Sequence, residues 1–312
     1  MFFTKVRNIH GILLLDKPVG ISSNKALQIT KKIFSSTKAG HTGSLDPLAT
    51  GVLPICFGEA TKFSQYLLKS NKKYRVIAKL GEQTSTADSY GEIINSVNVK
   101  KISINEYEKV LDKFRGNISQ IPPIYSAIKY KGIPLYKYAR KGIQVPIKRR
   151  FVSIYKLTSL YRYKNLIELK IFCSSGTYIR SIIDDLGKFL KCGAHVIFLR
   201  RTKVSSYSIL SSITLDELFF LKQKYKKKNF QYFLKKIKKF FIPIYSLVSH
   251  FPKIYLSEKD IFYLRNGRSI KLTTKLNTCI ISIMNTKNKF IGLGKLNNKK
   301  YLISYKLINY NL

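Results

Sequence analysis

The chain is 312 residues long and carries 57 Lys and Arg against 16 Asp and Glu, a formal net charge of +41. At 45% hydrophobic and 13% aromatic residues it is too apolar for a disordered basic tail, and long enough for one large domain with an appendage or for two. Such an excess points to a polyanionic partner, nucleic acid first, although the preference for Lys over Arg, 45 to 12, is also what drift in an AT-rich genome produces. Four Cys without a C-x-x-C pair give neither a disulfide framework nor a zinc site, and the four His are far apart, so no metal is expected. No stretch nears the ~20 apolar residues of a membrane span. The first apolar run, Ile12 to Leu15, is too short for a signal-peptide core and is followed by Asp16. A cytoplasmic protein without a membrane partner is expected.

In chain order, Gly11 to Leu15 reads as a short buried strand ended by Lys17-Pro18 and Gly20. Ser22 or Ser23 can cap a helix running to about Phe34, with Ala26, Ile29 and Ile33 on one face. Residues 39–51 hold three glycines and a proline and read as a loop. A helix is expected over 59–69, and a strand over 72–80 in which Tyr74, Val76, Ala78 and Leu80 alternate. Ser103 and Glu106 form a capping-box pattern ahead of a helix ending near Phe114. Strands are expected at 124–130, 151–157 and 166–173, and a helix from Tyr178 to Leu190. Strands and helices do not alternate regularly, so the fold class is α+β with a mixed or antiparallel sheet flanked by helices.

Residues 222–241 hold nine Lys and no acid, interleaved with Tyr and Phe. They read either as an arm along phosphates or as a solvated helix whose aromatic face packs on the domain. After Pro243 the chain turns to short β segments broken by glycines. The division expected is a catalytic domain over 1–245, containing 222–241, and a small β-rich domain over 250–312.

Among eight Asp and eight Glu, Asp46 stands out. It precedes Pro47, which pushes its backbone to the extended region, and glycines flank its loop on both sides. His41 lies in the same loop. Taken alone, Asp46 capping a turn and His41 packing locally remain the plainer reading. No nucleophile elbow, phosphate-binding loop or dinucleotide fingerprint competes.

The run GHTGSLDPLATGVLPICFGEATKFSQYLL resembles the signature of the bacterial tRNA pseudouridine-55 synthases, the TruB family. GILLLDKPVGISSN, KKYRVIAKLGEQTSTAD, IPPIYSAIKYKG, GTYIRSIIDDLG and CGAHVIFLRRTKVSSY agree in order, covering about residues 11–210. Residues 250–312 are weakly similar to the family's small RNA-binding domain, of the PUA-like type. The resemblance implies isomerisation of the uridine at position 55 in the T arm of tRNA, by base flipping and without metal or cofactor. By resemblance Asp46 is the nucleophile and Arg180 pairs with it. Tyr74 stacks on the flipped base and is a candidate for the base that takes the C5 proton. His41 helps push the nucleotide out, Tyr178 and Leu199 contact substrate, Lys17 belongs to the pocket rim, and Asp88 supports the site. A monomer is expected.

These residue types suit the chemistry. A carboxylate must meet the positive charge developing at C1′, by attack or by abstraction of the 2′ proton, and must stay ionised in an apolar pocket; a guanidinium opposes the burial that would neutralise it. Stacking on Tyr74 grips a ring that must rotate, at about 1–3 kcal/mol per base. Extracting a nucleotide costs a few kcal/mol, which phosphate contacts must offset. Lys129, Lys131, Lys137, Arg140, Lys141, Lys148, Arg149 and Arg150 suit that grip or form a solvated face. Two rivals stand beside this reading. An RNA-binding protein that has lost its chemistry is disfavoured by intact Asp46, Tyr74 and Arg180, and a synthase acting on rRNA within a guide-RNA particle by the uninterrupted bacterial-type blocks.

Overall fold

The computed structural model describes residues 9–225, 230–277 and 279–309. Its larger sheet is built from β1 (Gly11–Lys17), β2 (Thr50–Phe57), β3 (Lys72–Leu80), β4 (Gly116–Gln120), β5 (Arg150–Tyr163), β6 (Leu166–Cys173) and β7 (Ala194–Val204). Across the sheet the order is β1-β2-β7-β3-β6-β5-β4, with the short strand Ile213–Thr214 beyond β1. β2 runs parallel to β7 and Ile213–Thr214 parallel to β1, while the other neighbours in this row are antiparallel. The sheet is therefore mixed, as the irregular order of elements predicts.

Burial explains the strand patterns. In β3, Lys72, Tyr74, Val76, Ala78 and Leu80 are all buried, while the residues between them are not. The continuous apolar run of β1 has a different cause. Leu13 and Leu15 face one core with the helices; Ile12 and Leu14 face a second core shared with Phe63, Leu247, Phe290 and Leu293. A strand covered on both faces has no polar side to alternate.

Helix α1 (Ser23–Phe34) starts at Ser22, whose hydroxyl accepts from Lys25 N at 3.1 Å, and ends at Ser35 in the left-handed region. Helix α2 (Ile104–Asp112) is capped by Ser103, which accepts from Glu106 N at 3.1 Å. Helices α3 (Ile179–Phe189), α4 (Leu215–Lys224), α5 (Phe230–Ile237) and α6 (Glu258–Arg265) follow. Residues 226–229 of the Lys-rich segment lie outside the described residues. On α5, Phe233 and Ile237 are buried against Phe34 while Lys235 and Lys236 face solvent, so this stretch packs its apolar side and solvates its lysines.

The C-terminal sheet orders β8 (Lys253–Leu256), β9 (Cys279–Asn285), β10 (Phe290–Leu296), β11 (Tyr301–Leu307) and Ile270–Lys271, around its own core of Leu264, Ile281, Ile283, Ile291, Leu296 and Leu302. It docks on the first sheet's side through Phe63 against Phe290, ring centres 5.7 Å apart, and through Lys62 Nζ donating to Leu307 O at 2.8 Å. The overall class is the expected α+β, with a β-rich C-terminal unit. No helix among the described residues is long and apolar enough to cross a membrane.

The structure corrects three element expectations. Of residues 39–51 only 42–49 form a loop, because Ala39–His41 pairs with β2 as an antiparallel strand and Thr50 and Gly51 already belong to β2. Residues 124–130 are not a strand; only Lys129–Tyr130 pairs, in a two-residue hairpin with Ile133–Pro134. Pro122 and Pro123 supply no donors, and the carbonyls of Ser126 and Ile128 accept from Tyr136 N and Leu135 N at the start of the short helix that follows. Over 59–69, a 3-10 turn (Gly58–Phe63) precedes a short α-helix (Ser64–Leu68).

Candidate active site

The loop of residues 42–49 is tethered at several points. Ser23 Oγ, at the start of α1, accepts from Leu45 N at 2.7 Å and donates to Leu45 O at 3.0 Å. Gly20 N donates to Pro47 O at 2.9 Å, and Thr42 N to Pro54 O at 3.1 Å. Leu45, Leu48 and Ala49 are buried in the core. Where the loop enters β2, Gly51 has φ +108°, and a Cβ there would sit 2.2 Å from Arg201 O, so only glycine lets β2 lie beside β7. Asp46 thus projects from a backbone fixed on both sides.

The other half of the site is the start of α3. Tyr178 at the N-cap is clasped by Gln120, which accepts from Tyr178 N and donates to Tyr178 O, both at 2.8 Å. This sets Arg180 in the first turn, where a helix dipole disfavours a cation. Carboxylates and carbonyls compensate it. Nη2 donates to Asp46 Oδ1 and to Tyr125 O, and Nη1 to Thr86 O, each at 2.9 Å. Nε lies 2.9 Å from Asp46 Oδ2 as an ion-pair contact without hydrogen-bond alignment. Asp88 Oδ2 approaches Nη1 to 3.5 Å, while its Oδ1 accepts from Thr86 Oγ1 at 2.6 Å and from Tyr90 N at 3.1 Å.

Asp46, Arg180, Tyr74, Tyr178 and Leu199 line one cavity of about 300 Å³, at the low end of the range for small-molecule sites. The Asp46 side chain is 36% exposed and opens onto it, while that of Arg180 behind is 4% exposed. Burial pushes the Asp46 carboxyl above its ordinary range; Arg180 and Lys17 pull it down, and Asp88 adds to the rise. Burial likewise raises the hydroxyls of Tyr74 and Tyr178.

Three residues named from the sequence lie outside the cavity's lining. Lys17 is fully buried and not on the rim: its ammonium donates to Pro18 O and Ile21 O, both at 2.7 Å, tying down the turn that holds Pro47. Burial lowers it to about 8, against the pull of Asp46. His41 pairs with Ile55 on the strand Ala39–His41, and its buried Nδ1 has no hydrogen-bond partner. Asp88 acts from behind Arg180. The basic residues named between 129 and 150 are all exposed.

Comparison with known proteins decides the family. The model for the TruB family pseudouridylate synthase N-terminal domain matches residues 31–179, that for the tRNA pseudouridylate synthase B C-terminal domain residues 180–249, and that for the pseudouridine synthase II TruB C-terminal region residues 252–308. The tRNA pseudouridine synthase B of Buchnera aphidicola subsp. Acyrthosiphon pisum (strain APS) is 50% identical, with 99% of each chain covered. The chain belongs to the TruB family. The Escherichia coli (strain K12) tRNA pseudouridine synthase B is 45% identical, over 97% of this chain and 96% of that one. TruB-family enzymes are isomerases that turn uridine into pseudouridine, and so is this chain. In fold it is also similar to a chain of an H/ACA RNP bound to a substrate RNA containing 2′-deoxyuridine, with TM-score 0.70 at 23% identity, covering 96% and 84% of the two chains. A chain of the archaeal box H/ACA sRNP Nop10-Cbf5 complex gives 0.68 at 23%, covering 96% and 86%. The C-terminal sheet is of the PUA-like kind.

Two cations in the TruB cavity wall escaped the sequence reading. Lys72 is buried, donates to Leu68 O at 2.8 Å and Ser70 O at 2.5 Å, and is lowered by burial to about 8. Arg201 is 1% exposed, its Nε donating to Val52 O and its Nη2 to Gly43 O, both at 2.8 Å. Strand alternation carried the signal for both. Lys72 lies two residues from Tyr74, and Arg201 two from Leu199, so each shares a face with a residue already chosen.

Proposed function

We propose that this chain isomerises the uridine at position 55 in the T arm of tRNA, with Asp46 as the nucleophile. The carrying observation is the pairing of Asp46 with Arg180 at the edge of a cavity walled by Tyr74, Tyr178 and Leu199. The desolvation that pushes this carboxyl towards neutrality is opposed by a guanidinium placed against both its oxygens. Tyr74 offers the flat face for the flipped base, and Leu199 an apolar wall. The exposed cations of 129–150 supply phosphate contacts. His41 and Lys17 act on the loop from outside the cavity.

The reading extends to the whole chain: a catalytic domain over 1–245, an RNA-binding domain over 250–312, a monomeric state and a cytoplasmic location. The relatives named as tRNA enzymes, at 45–50% identity over nearly the whole chain, support a tRNA substrate over a guide-RNA particle.

The experiment is pseudouridine mapping by nucleotide in an unmodified tRNA transcript, with wild type and Asp46→Asn side by side. Wild type is expected to convert the T-loop uridine and Asp46→Asn to convert none, while binding stays within about tenfold, ~1.4 kcal/mol. Conversion by Asp46→Asn near the wild-type rate would remove Asp46 from the chemistry.

A further inference from the structure

The alternation that turns Tyr74 towards Asp46 turns its neighbour Arg75 the other way, onto the opposite face of the sheet. Part of that face is covered. Ile12 and Leu14 of β1, Val52 of β2 and Val204 at the end of β7 pack with Phe290 and Leu293 of the C-terminal unit. Over β3, β6 and β5 the same face is open. The solvated side of antiparallel strands ordinarily carries polar residues, but here it carries aromatic rings. On β5, Phe151 is 86% exposed, Tyr155 54%, and Tyr161 and Tyr163 both 55%.

Strand register sets cations among these rings. Phe172 on β6 stands opposite Lys73 on β3 and Lys156 on β5, and Lys203 on β7 stands opposite Lys73. The Lys73 ammonium lies 5.1 Å from the centre of the Phe172 ring, and the Tyr155 ring centre is also 5.1 Å from it. Lys170, two residues before Phe172 on β6, is exposed on the same face. The Tyr161 and Tyr163 rings form a second pair, with centres 6.3 Å apart, and six residues separate Tyr161 from Tyr155, about 20 Å of strand. Glu168 is taken by Arg75, and Asp16 by Arg200. Among the described residues, Lys73, Lys156, Lys170 and Lys203 form no ion pair.

Lysines without acids call for a polyanion. A duplex keeps its bases stacked inside and would meet the lysines while leaving the rings unused. An unpaired strand offers phosphates to the cations and base faces to the aromatics together. We infer that the open face of β3, β6 and β5 is a second RNA-binding surface that takes an unpaired strand. Bases stack at Tyr155 and Phe172 and again at Tyr161 and Tyr163, with phosphates on the lysines between. This surface lies across the sheet from the Asp46 cavity, so both can be occupied at once. It does not depend on which uridine is modified.

The test is fluorescence anisotropy of the full chain with a labelled oligouridylate of about 12 nucleotides, within the usual single-strand site size, with and without a saturating unlabelled T-arm stem–loop. The oligouridylate is expected to bind and to stay bound when the stem–loop is added. Tyr155→Ala/Tyr161→Ala should weaken it about 25-fold, about fivefold for each lost ring, and leave the conversion rate of the stem–loop unchanged. Tyr155→Phe/Tyr161→Phe, which keeps both rings, should bind within about twofold of wild type. Lys170→Gln should lower the slope of log affinity against log salt by about 0.7, one phosphate contact on a single strand.

Displacement of the oligouridylate by the stem–loop would place its binding on the cavity side and overturn the inference. Unchanged affinity in the alanine double variant, or an unchanged salt slope in Lys170→Gln, would do the same. A polyglutamate probe that binds as tightly, with the same loss in the alanine double variant, would make this a face for an acidic protein instead.

Discussion

Replacing Arg180 with Met keeps much of its volume and removes its charge, and the structure says what should follow. The guanidinium is the largest influence holding the Asp46 carboxyl down against burial, ahead of Lys17. An opposite charge in direct contact holds a carboxyl down, so without it the acid limb of the rate profile should move to higher pH. Binding of tRNA, which depends on many exposed cations, should change less than about tenfold. Stability should fall as well, because Asp88, with a side chain 7% exposed, loses its cation, as do the carbonyls of Thr86 and Tyr125. Breaking a buried pair costs about 3–5 kcal/mol, and the low end applies because Asp46 is a third exposed. The assay is single-turnover pseudouridine formation from about pH 5 to 9, with chemical melts beside it. An acid limb that stays where wild type has it would refute the claim that Arg180 keeps Asp46 ionised.

Three further expectations follow from the same geometry. Ser23→Ala removes both bonds to the Leu45 peptide; a loss of about 1–3 kcal/mol in a denaturant melt is expected, with turnover falling more than affinity, and equal losses would mean that the tether does not aim Asp46. Gly51→Ala forces a Cβ into Arg201 O at a positive φ; a loss of at least about 3 kcal/mol is expected, and a melt like wild type would show that β2 can move away from β7. The logarithm of tRNA affinity should fall steeply and linearly with the logarithm of salt concentration, whereas a flat profile would mean that the +41 is not an RNA footprint.

What the sequence could disclose divides along physical lines. Period-two alternation marked β3, and with it the placement of Tyr74, because a strand buried on one face writes its pattern locally. Asp46 was conspicuous because acids are few and its loop is built of Gly and Pro. The tether from Ser23 was not legible, since that residue looks like any helix-start serine and its partner is 22 residues away. Lys17 shows the converse failure. The resemblance put it on the pocket rim, but its ammonium folds back onto two carbonyls that no sequence pattern announces. Segment 124–130 looked extended because of its Ile and Tyr, yet local hydrogen bonds and the demand of Arg180 for the Tyr125 carbonyl bend it.

The buried charges around the cavity do not balance. Lys17, Lys72, Arg180 and Arg201 are buried, and the facing acids are Asp46 and Asp88. Carbonyls satisfy the hydrogen bonds of Lys17, Lys72 and Arg201, but carbonyl dipoles do not cancel net charge. Burial already lowers both lysines to about 8, a measure of how unfavourable this arrangement is without substrate. Pseudouridine formation supplies the missing negative charge, because uracil must leave C1′ with the electron pair of the glycosidic bond and stay in place as an anion until it rejoins through C5. A cavity wall with surplus cations, fixed before the substrate arrives, stabilises that anion without reorganising. The same surplus makes the free enzyme less stable than a charge-balanced pocket would, which is the usual exchange between stability and activity at a functional site.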